Sequence, residues 1–203
     1  MEFCGHVFKC DQRALVPRPE TEELVGLLIA DCRSTIAEGI VDVGTGSGVI
    51  ALSLAAKFPK AKVLAVDISD EALALARENA ERLGLSERVQ FSRNDLLENF
   101  PERFDLIAAN LPYVSMQDRE SLSREVLRDP EIAVFGGDRG DELIRRLIVQ
   151  APEHLQPTGF LALEIGIGQA NELSSFLAEK NYHDIESKND YEGIQRFLFA
   201  RYG

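Results

Sequence analysis

The chain has 203 residues, 45% of them hydrophobic, and a formal net charge of −12, enough for one well-buried core and too short for two ordinary α/β domains. The acidic balance disfavours an extended phosphate-facing surface, which needs clustered Lys and Arg, so extended RNA or DNA is not an expected partner. The N-terminus has no signal-peptide pattern and the apolar runs are strand-length, while Cys4, Cys10, Cys32, His6, His154 and His183 lack disulfide or zinc spacing, so we expect a cytoplasmic, metal-free protein with reduced thiols and no membrane contact.

In chain order, Glu2–Pro19 mixes turn-like and apolar residues and is expected to form a hairpin and linker over residues 1–20, leading into a domain over residues 21–203. From about Ile40 onward, short apolar runs alternate with helix-period segments, the pattern of βα units on a parallel sheet. Ile40–Val43, Val63–Asp67, Leu106–Ala109 and Phe160–Glu164 are nearly continuous in apolar residues, as strands buried on both faces should be. Helices are predicted over Glu22–Asp31, Gly48–Phe58, Asp141–Leu155 and Gln169–Lys180 from apolar spacings of three and four. A further helix starts at the cap Ser69, carries Asp70 and Glu71 in its first turn, aligns Leu73, Ala76, Ala80 and Leu83, and stops at Gly84. Val114–Gly140 is long enough to be a functional loop. Asp184–Lys188 and Phe197–Ala200 read as two strands joined by Asn189–Gly193, an antiparallel hairpin with no helix between.

Val41-Asp42-Val43-Gly44-Thr45-Gly46-Ser47-Gly48 leaves a buried strand, turns through three glycines and enters a helix. Such a turn brings backbone close to a ligand and offers unpaired N–H groups at the helix start. A dinucleotide fold wants a third glycine at the position of Val49; the observed G-x-G-x-G spacing instead resembles motif I of class I methyltransferases. The resemblance implies a Rossmann-like, mostly parallel seven-stranded sheet with a C-terminal antiparallel hairpin and helices on both faces. It makes Gly44, Thr45, Gly46, Ser47 and Gly48 candidate ligands of S-adenosylmethionine. Asp67 ends the next strand, and an ionised carboxylate presents two acceptor oxygens to a ribose diol. Asn94-Asp95-Leu96 follows the strand Val89–Ser92 and is similar to the segment that embraces adenine, with Asp95 accepting from the exocyclic amine.

Asn110-Leu111-Pro112-Tyr113 follows the fourth buried strand. The side-chain oxygen of Asn110 and a backbone carbonyl of Leu111 or Pro112 can accept the two N–H bonds of a planar amide. Tyr113 supplies a ring to pack against that amide, and Pro112 stiffens the turn and biases Leu111 toward extended backbone. Here the chain resembles the release-factor glutamine methyltransferase family, whose usual acceptor motif is Asn-Pro-Pro-Tyr; Leu111 is a departure that removes the proline constraint on Asn110. Leu15-Val16-Pro17-Arg18-Pro19-Glu20-Thr21-Glu22 is very close to the family's segment before its catalytic domain. Asp129-Pro130 with Gly136-Gly137-Asp138 resembles its substrate loop, and Leu163-Glu164-Ile165-Gly166 with Gln169 its later strand-to-helix junction.

The resemblance implies N5-methylation of the glutamine in a Gly-Gly-Gln segment of peptide chain release factors, by in-line displacement from S-adenosylmethionine with S-adenosylhomocysteine leaving. It makes Asn110, Pro112 and Tyr113 catalytic, Asn110 through Tyr113 substrate-binding, and Asn110 also a cofactor contact; a monomer is expected. Two alternatives stand: Asn-Leu-Pro-Tyr is also similar to the motif of ribosomal RNA adenine dimethyltransferases, and a cofactor-binding regulatory module would keep the fold without transfer. Family members carry a helical domain before the segment corresponding to Phe3–Phe8, which this sequence lacks; whether Met1 is a natural start is left open.

Overall fold

The computed structural model describes residues 1–31, 38–98, 100–123 and 126–203; Cys32 lies outside them. The central sheet is built from β3 (Gly39–Val43), β4 (Lys62–Asp67), β5 (Val89–Arg93), β6 (Phe104–Asn110), β9 (Leu155–Glu164), β10 (Tyr182–Asn189) and β11 (Gln195–Tyr202). Its seven strands run in the order β10-β11-β9-β6-β3-β4-β5. β3, β4, β5, β6 and β9 are parallel, and β11 runs antiparallel between β9 and β10. The predicted terminal hairpin is present and longer at both ends than the apolar runs alone indicate.

The near-continuous apolar strands are buried on two faces at once. Val41, Val43, Ile107, Ala109, Leu161 and Leu163 pack against α5 (Glu142–His154) and α6 (Ala170–Glu179). The alternate residues Ile40, Val63, Ala65, Leu106, Ala108 and Ala162 pack against α1 (Pro19–Asp31) and α2 (Val49–Lys57). This is the two-residue period of a strand, read once toward each helical layer. α3 (Asp70–Leu83) has the predicted cap, with Ser69 Oγ accepting from Ala72 N, and stops at Gly84 in the left-handed region. β10 presents His183, Asp184, Glu186 and Lys188 along its outer edge, charges that discourage pairing with another strand.

The N-terminal segment is tied into this core. β1 (Glu2–Phe3) and β2 (His6–Val7) form a small hairpin, and Phe3 and Phe8 are fully buried with Leu24, Val25 and Leu28 of α1. α1 begins at Pro19, three residues before its predicted start and across the expected boundary at residue 20, because proline's fixed φ suits the first helical turn. Val114–Gly140 contains β7 (Val114–Ser115), short 3₁₀ turns, α4 (Glu131–Val134) and β8 (Phe135–Gly137). β7 and β8 pair in parallel. Among the described residues, no helix is long and apolar enough to cross a membrane.

Candidate active site

The sheet register sets the site. Val43 lies beside Val66 and Ala109, Asp67 beside Arg93, and Asn110 beside Glu164, so the loops after β3, β4, β5, β6 and β9 open at one edge. Open α/β sheets bind ligands at this carboxyl edge.

A cavity of about 210 Å³ there is bounded by Gly44, Gly46, Asp67, Asn94, Asp95 and Leu96. Asp67 ties its two first walls together: Oδ2 accepts from Gly46 N at 2.9 Å and Oδ1 from Ser69 N at 2.9 Å. Each carboxylate oxygen retains acceptor capacity toward the cavity. Burial pushes the Asp67 carboxyl upward while its backbone partners pull it down. Gly44 has φ 74°, and a Cβ on it would stand 2.8 Å from Leu111 Cδ2. Leu111, where the family usually has proline, is therefore buried directly over the glycine turn. At Gly48, with φ 85°, a Cβ would stand 3.1 Å from Ala76 Cβ, so this glycine lets α3 approach α2.

The sequence-predicted residues divide at this point. Gly44, Gly46, Asp67, Asp95, Leu96, Asn110, Leu111 and Pro112 line the cavity, whereas Thr45, Ser47 and Gly48 do not. Thr45 Oγ1 donates inward to Asp42 Oδ2 at 2.6 Å, Ser47 O accepts from Asn79 Nδ2 at 2.9 Å, and both residues are buried. They shape the loop from behind. Asp95 Oδ2 already accepts from Arg146 Nη2 at 2.9 Å, leaving Oδ1 for another donor. Leu96 adopts φ 53°, held by Asn94 Nδ2 donating to the carbonyls of Leu96 and Glu98. A left-handed leucine costs about 1–3 kcal/mol and points to a backbone kept for a purpose.

Arg13, Ala14 and Leu15 of the N-terminal segment, Ile68, Leu143 and Arg146 also line this cavity and were not anticipated. Ile68 carried a signal, a large apolar residue directly after a strand-end carboxylate; it is 45% exposed. Arg146 carried none, since its pairing with Asp95 spans α5 and the turn after β5.

A second cavity, of about 190 Å³, adjoins the same turn and is walled by Leu15, Arg18, Tyr113, Val114, Leu122 and Val134. Asn110, Leu111 and Pro112 line both. Arg18 Nη2 donates to Asp129 Oδ2 at 2.8 Å, strapping the segment before α1 to the loop after β7. The backbone of Gly136–Gly140 is pressed against the turn: a Cβ on Gly136 would stand 2.3 Å from Pro112 O, and one on Gly140 2.5 Å from Tyr113 O.

Behind Asn110 runs a hydrogen-bond chain. Asn110 Nδ2 donates to Thr21 Oγ1 at 2.9 Å, Thr21 Oγ1 donates to Glu164 Oε2 at 2.8 Å, and Tyr113 OH donates to Glu164 Oε1 at 3.3 Å. Burial pushes the Glu164 carboxyl up to about 7, opposed by the Thr21 bond and by Arg196. Burial, with Glu164 beside it, pushes the Tyr113 phenol above its usual range.

Known proteins agree with this arrangement. The methyltransferase small domain family matches residues 25–133. A release factor glutamine methyltransferase of Koribacter versatilis is 39% identical over 98% of this chain and 71% of its own length, and that of Deinococcus radiodurans 40% over 99% and 71%. Among solved structures, ribosomal protein L11 methylase from Lactobacillus delbrueckii superposes with TM-score 0.69 at 26% identity, over 92% of this chain and 81% of that one. A methyltransferase from Pyrococcus furiosus, 20% identical, shares the fold with TM-score 0.71 over 97% of this chain and 88% of its own. This chain is an S-adenosylmethionine-dependent enzyme and belongs to the release factor glutamine methyltransferase family.

Proposed function

We propose that the chain methylates the side-chain amide nitrogen of a glutamine in the Gly-Gly-Gln segment of a peptide chain release factor. The observation that carries this reading is the Asn110–Pro112 turn lining two cavities at once, read as one for donor and one for acceptor. The relatives' names, release factor glutamine methyltransferase, support a release-factor glutamine as the acceptor. A release factor as partner supports a cytoplasmic reaction, and the net charge of −12 argues against an RNA backbone as the binding target.

S-adenosylmethionine supplies an electrophilic methyl group. Gly44 and Gly46 present backbone to it, Asp67 offers acceptors for adjacent hydroxyls, and Asp95 and Leu96 border the far end of the cavity. Ile68, Leu96 and Leu143 add apolar wall.

A glutamine amide is a weak nucleophile because its nitrogen lone pair is delocalised into the carbonyl. Asn110 Oδ1, on the side of its amide opposite the Thr21 bond, accepts one N–H, and a carbonyl of Leu111 or Pro112 accepts the other, turning the lone pair toward the donor cavity. Tyr113 packs against the amide plane. Its phenol is held to Glu164 and shifted upward, so it does not serve as a base near neutrality, and the N–H proton of the methylated amide is lost to solvent as S-adenosylhomocysteine leaves. Positioning is the main catalytic device, and well-aligned reactants recover roughly 7–11 kcal/mol of barrier.

Incubation with labelled S-adenosylmethionine and either intact release factor or ribosomal RNA tests the proposal. Label in the release factor is the expected result. Label in RNA alone selects adenine methylation, and cofactor binding without transfer to either selects a regulatory module.

A further inference from the structure

We infer that Thr21 and Glu164 are positioning residues that fix which way round the Asn110 amide stands. The inference rests on the reading of Asn110 as the residue that orients the acceptor. Asn110 and Glu164 are register partners on the parallel strands β6 and β9, and α1 lays Thr21 across them. Thr21 is buried and its hydroxyl has a single hydrogen, which goes to Glu164 Oε2 at 2.8 Å. Its oxygen is then free only to accept, and it accepts from Asn110 Nδ2 at 2.9 Å. The other end of the amide, Oδ1, must therefore be the end available to a substrate. An acceptor is what an incoming –NH₂ group needs; a reversed amide would meet it donor to donor.

The polarity of the whole chain is set by the charge at its far end. An ionised Glu164 can only accept, which forces the Thr21 hydrogen toward it. A protonated Glu164 can donate to Thr21 instead, and Thr21 can then donate toward Asn110, favouring the reversed amide. The groups facing Glu164 are Glu20 and Thr21 from α1, Tyr113 from the turn after β6, and Arg196 from β11; Arg196 favours the ionised form, Glu20 opposes it, and burial opposes it most. The carboxyl thus changes charge near neutral pH, and turnover should rise as pH climbs through that region. This also gives a chemical reason for the threonine in the Pro-Arg-Pro-Glu-Thr-Glu segment, which lies far from Asn110 in sequence and next to it in space.

The test measures turnover on intact release factor with saturating cofactor, and cofactor affinity by calorimetry, for Thr21→Val, Thr21→Ser, Glu164→Gln and Asn110→Ala. Thr21→Val keeps the shape and removes the hydroxyl; kcat should fall roughly 10-fold or more, with S-adenosylmethionine affinity little changed. Thr21→Ser should restore turnover. Glu164→Gln retains an acceptor oxygen for Thr21 but cannot titrate, so it should flatten the rise of kcat with pH across neutrality. Wild-type kcat in folded Thr21→Val, or an unaltered pH profile in Glu164→Gln, would overturn the inference even while Asn110→Ala is inactive. Wild-type kcat in Asn110→Ala would instead overturn the reading of Asn110 itself.

Discussion

The proposed donor cavity takes Gly44, Gly46, Asp67 and Asn94–Leu96 from the connections after three consecutive strands, β3, β4 and β5, each group within a few residues of its strand end. The acceptor cavity takes Leu15 and Arg18 from before the first long helix, Asn110–Val114 from the sheet edge, and Leu122 and Val134 from the long loop. The groups proposed to hold the cofactor are thus set mostly by local chain geometry, with Arg13–Leu15, Leu143 and Arg146 closing that cavity from a distance, whereas the acceptor side is assembled almost wholly from segments far apart in sequence. Damage to the first should therefore appear as lost cofactor affinity. Damage to the second should appear as lost turnover with affinity retained.

Asn110→Ala breaks the comparison most sharply. It removes the group proposed to align the nucleophile, and we expect kcat to fall by roughly 10²–10³-fold while calorimetry still detects S-adenosylmethionine. A parallel collapse of cofactor binding would merge the two sides into one.

Leu111 belongs to both cavities and to the core, so its truncation tests the shared wall. Its side chain is 3% exposed and rests over Gly44. Leu111→Ala should lower unfolding free energy by about 3 kcal/mol through the void it leaves, read by chemical denaturation. Unchanged stability would show that the turn does not depend on this packing.

Asp67→Ala belongs to the donor side alone. Losing a charged acceptor should weaken S-adenosylmethionine binding by about 1.5–3 kcal/mol, and kcat at saturating cofactor should fall much less. Loss of kcat without loss of affinity would assign Asp67 to the acceptor side.

The smallest effect is on stability against pH. Asp42 is fully buried behind the glycine turn; burial pushes its carboxyl up to about 7, and its Oδ1 has no hydrogen-bond partner among the described residues. The unfolded carboxyl ionises near pH 4, while the folded one holds its proton until about 7. Stability therefore falls as pH rises through that window and levels off above it. From pH 6 to pH 8 this group should cost about 1 kcal/mol, and Asp42→Asn should remove that slope. Parallel stability–pH curves for the two proteins would show that Asp42 ionises freely in the fold.

The contrast between the two sides also explains what was legible in the sequence. Strand runs such as Ile40–Val43 and Leu106–Ala109 announce the sheet because two helical layers demand apolar residues on both faces. Ser69 and Gly84 announce the ends of α3 because caps are local chemistry. Gly44 and Asp67 could be placed in the site for the same reason. Thr45 and Ser47 sit in the same motif but turn inward, a difference that depends on Asp42 and Asn79 behind them. Thr21 and Glu164 were visible as members of family-like segments, yet their meeting at Asn110 depends on α1 lying across β6 and β9. Arg146 reaches Asp95 from α5, a pairing that no spacing encodes.

The most direct test of the account is to map the transferred methyl group on intact release factor by peptide mass spectrometry after reaction with isotopically labelled S-adenosylmethionine. We predict a single labelled methyl on the side-chain nitrogen of the glutamine in the Gly-Gly-Gln segment, lost when that glutamine is replaced. Label on another residue, or persistence of full labelling after the replacement, would contradict the assignment of the Asn110 turn to a glutamine amide.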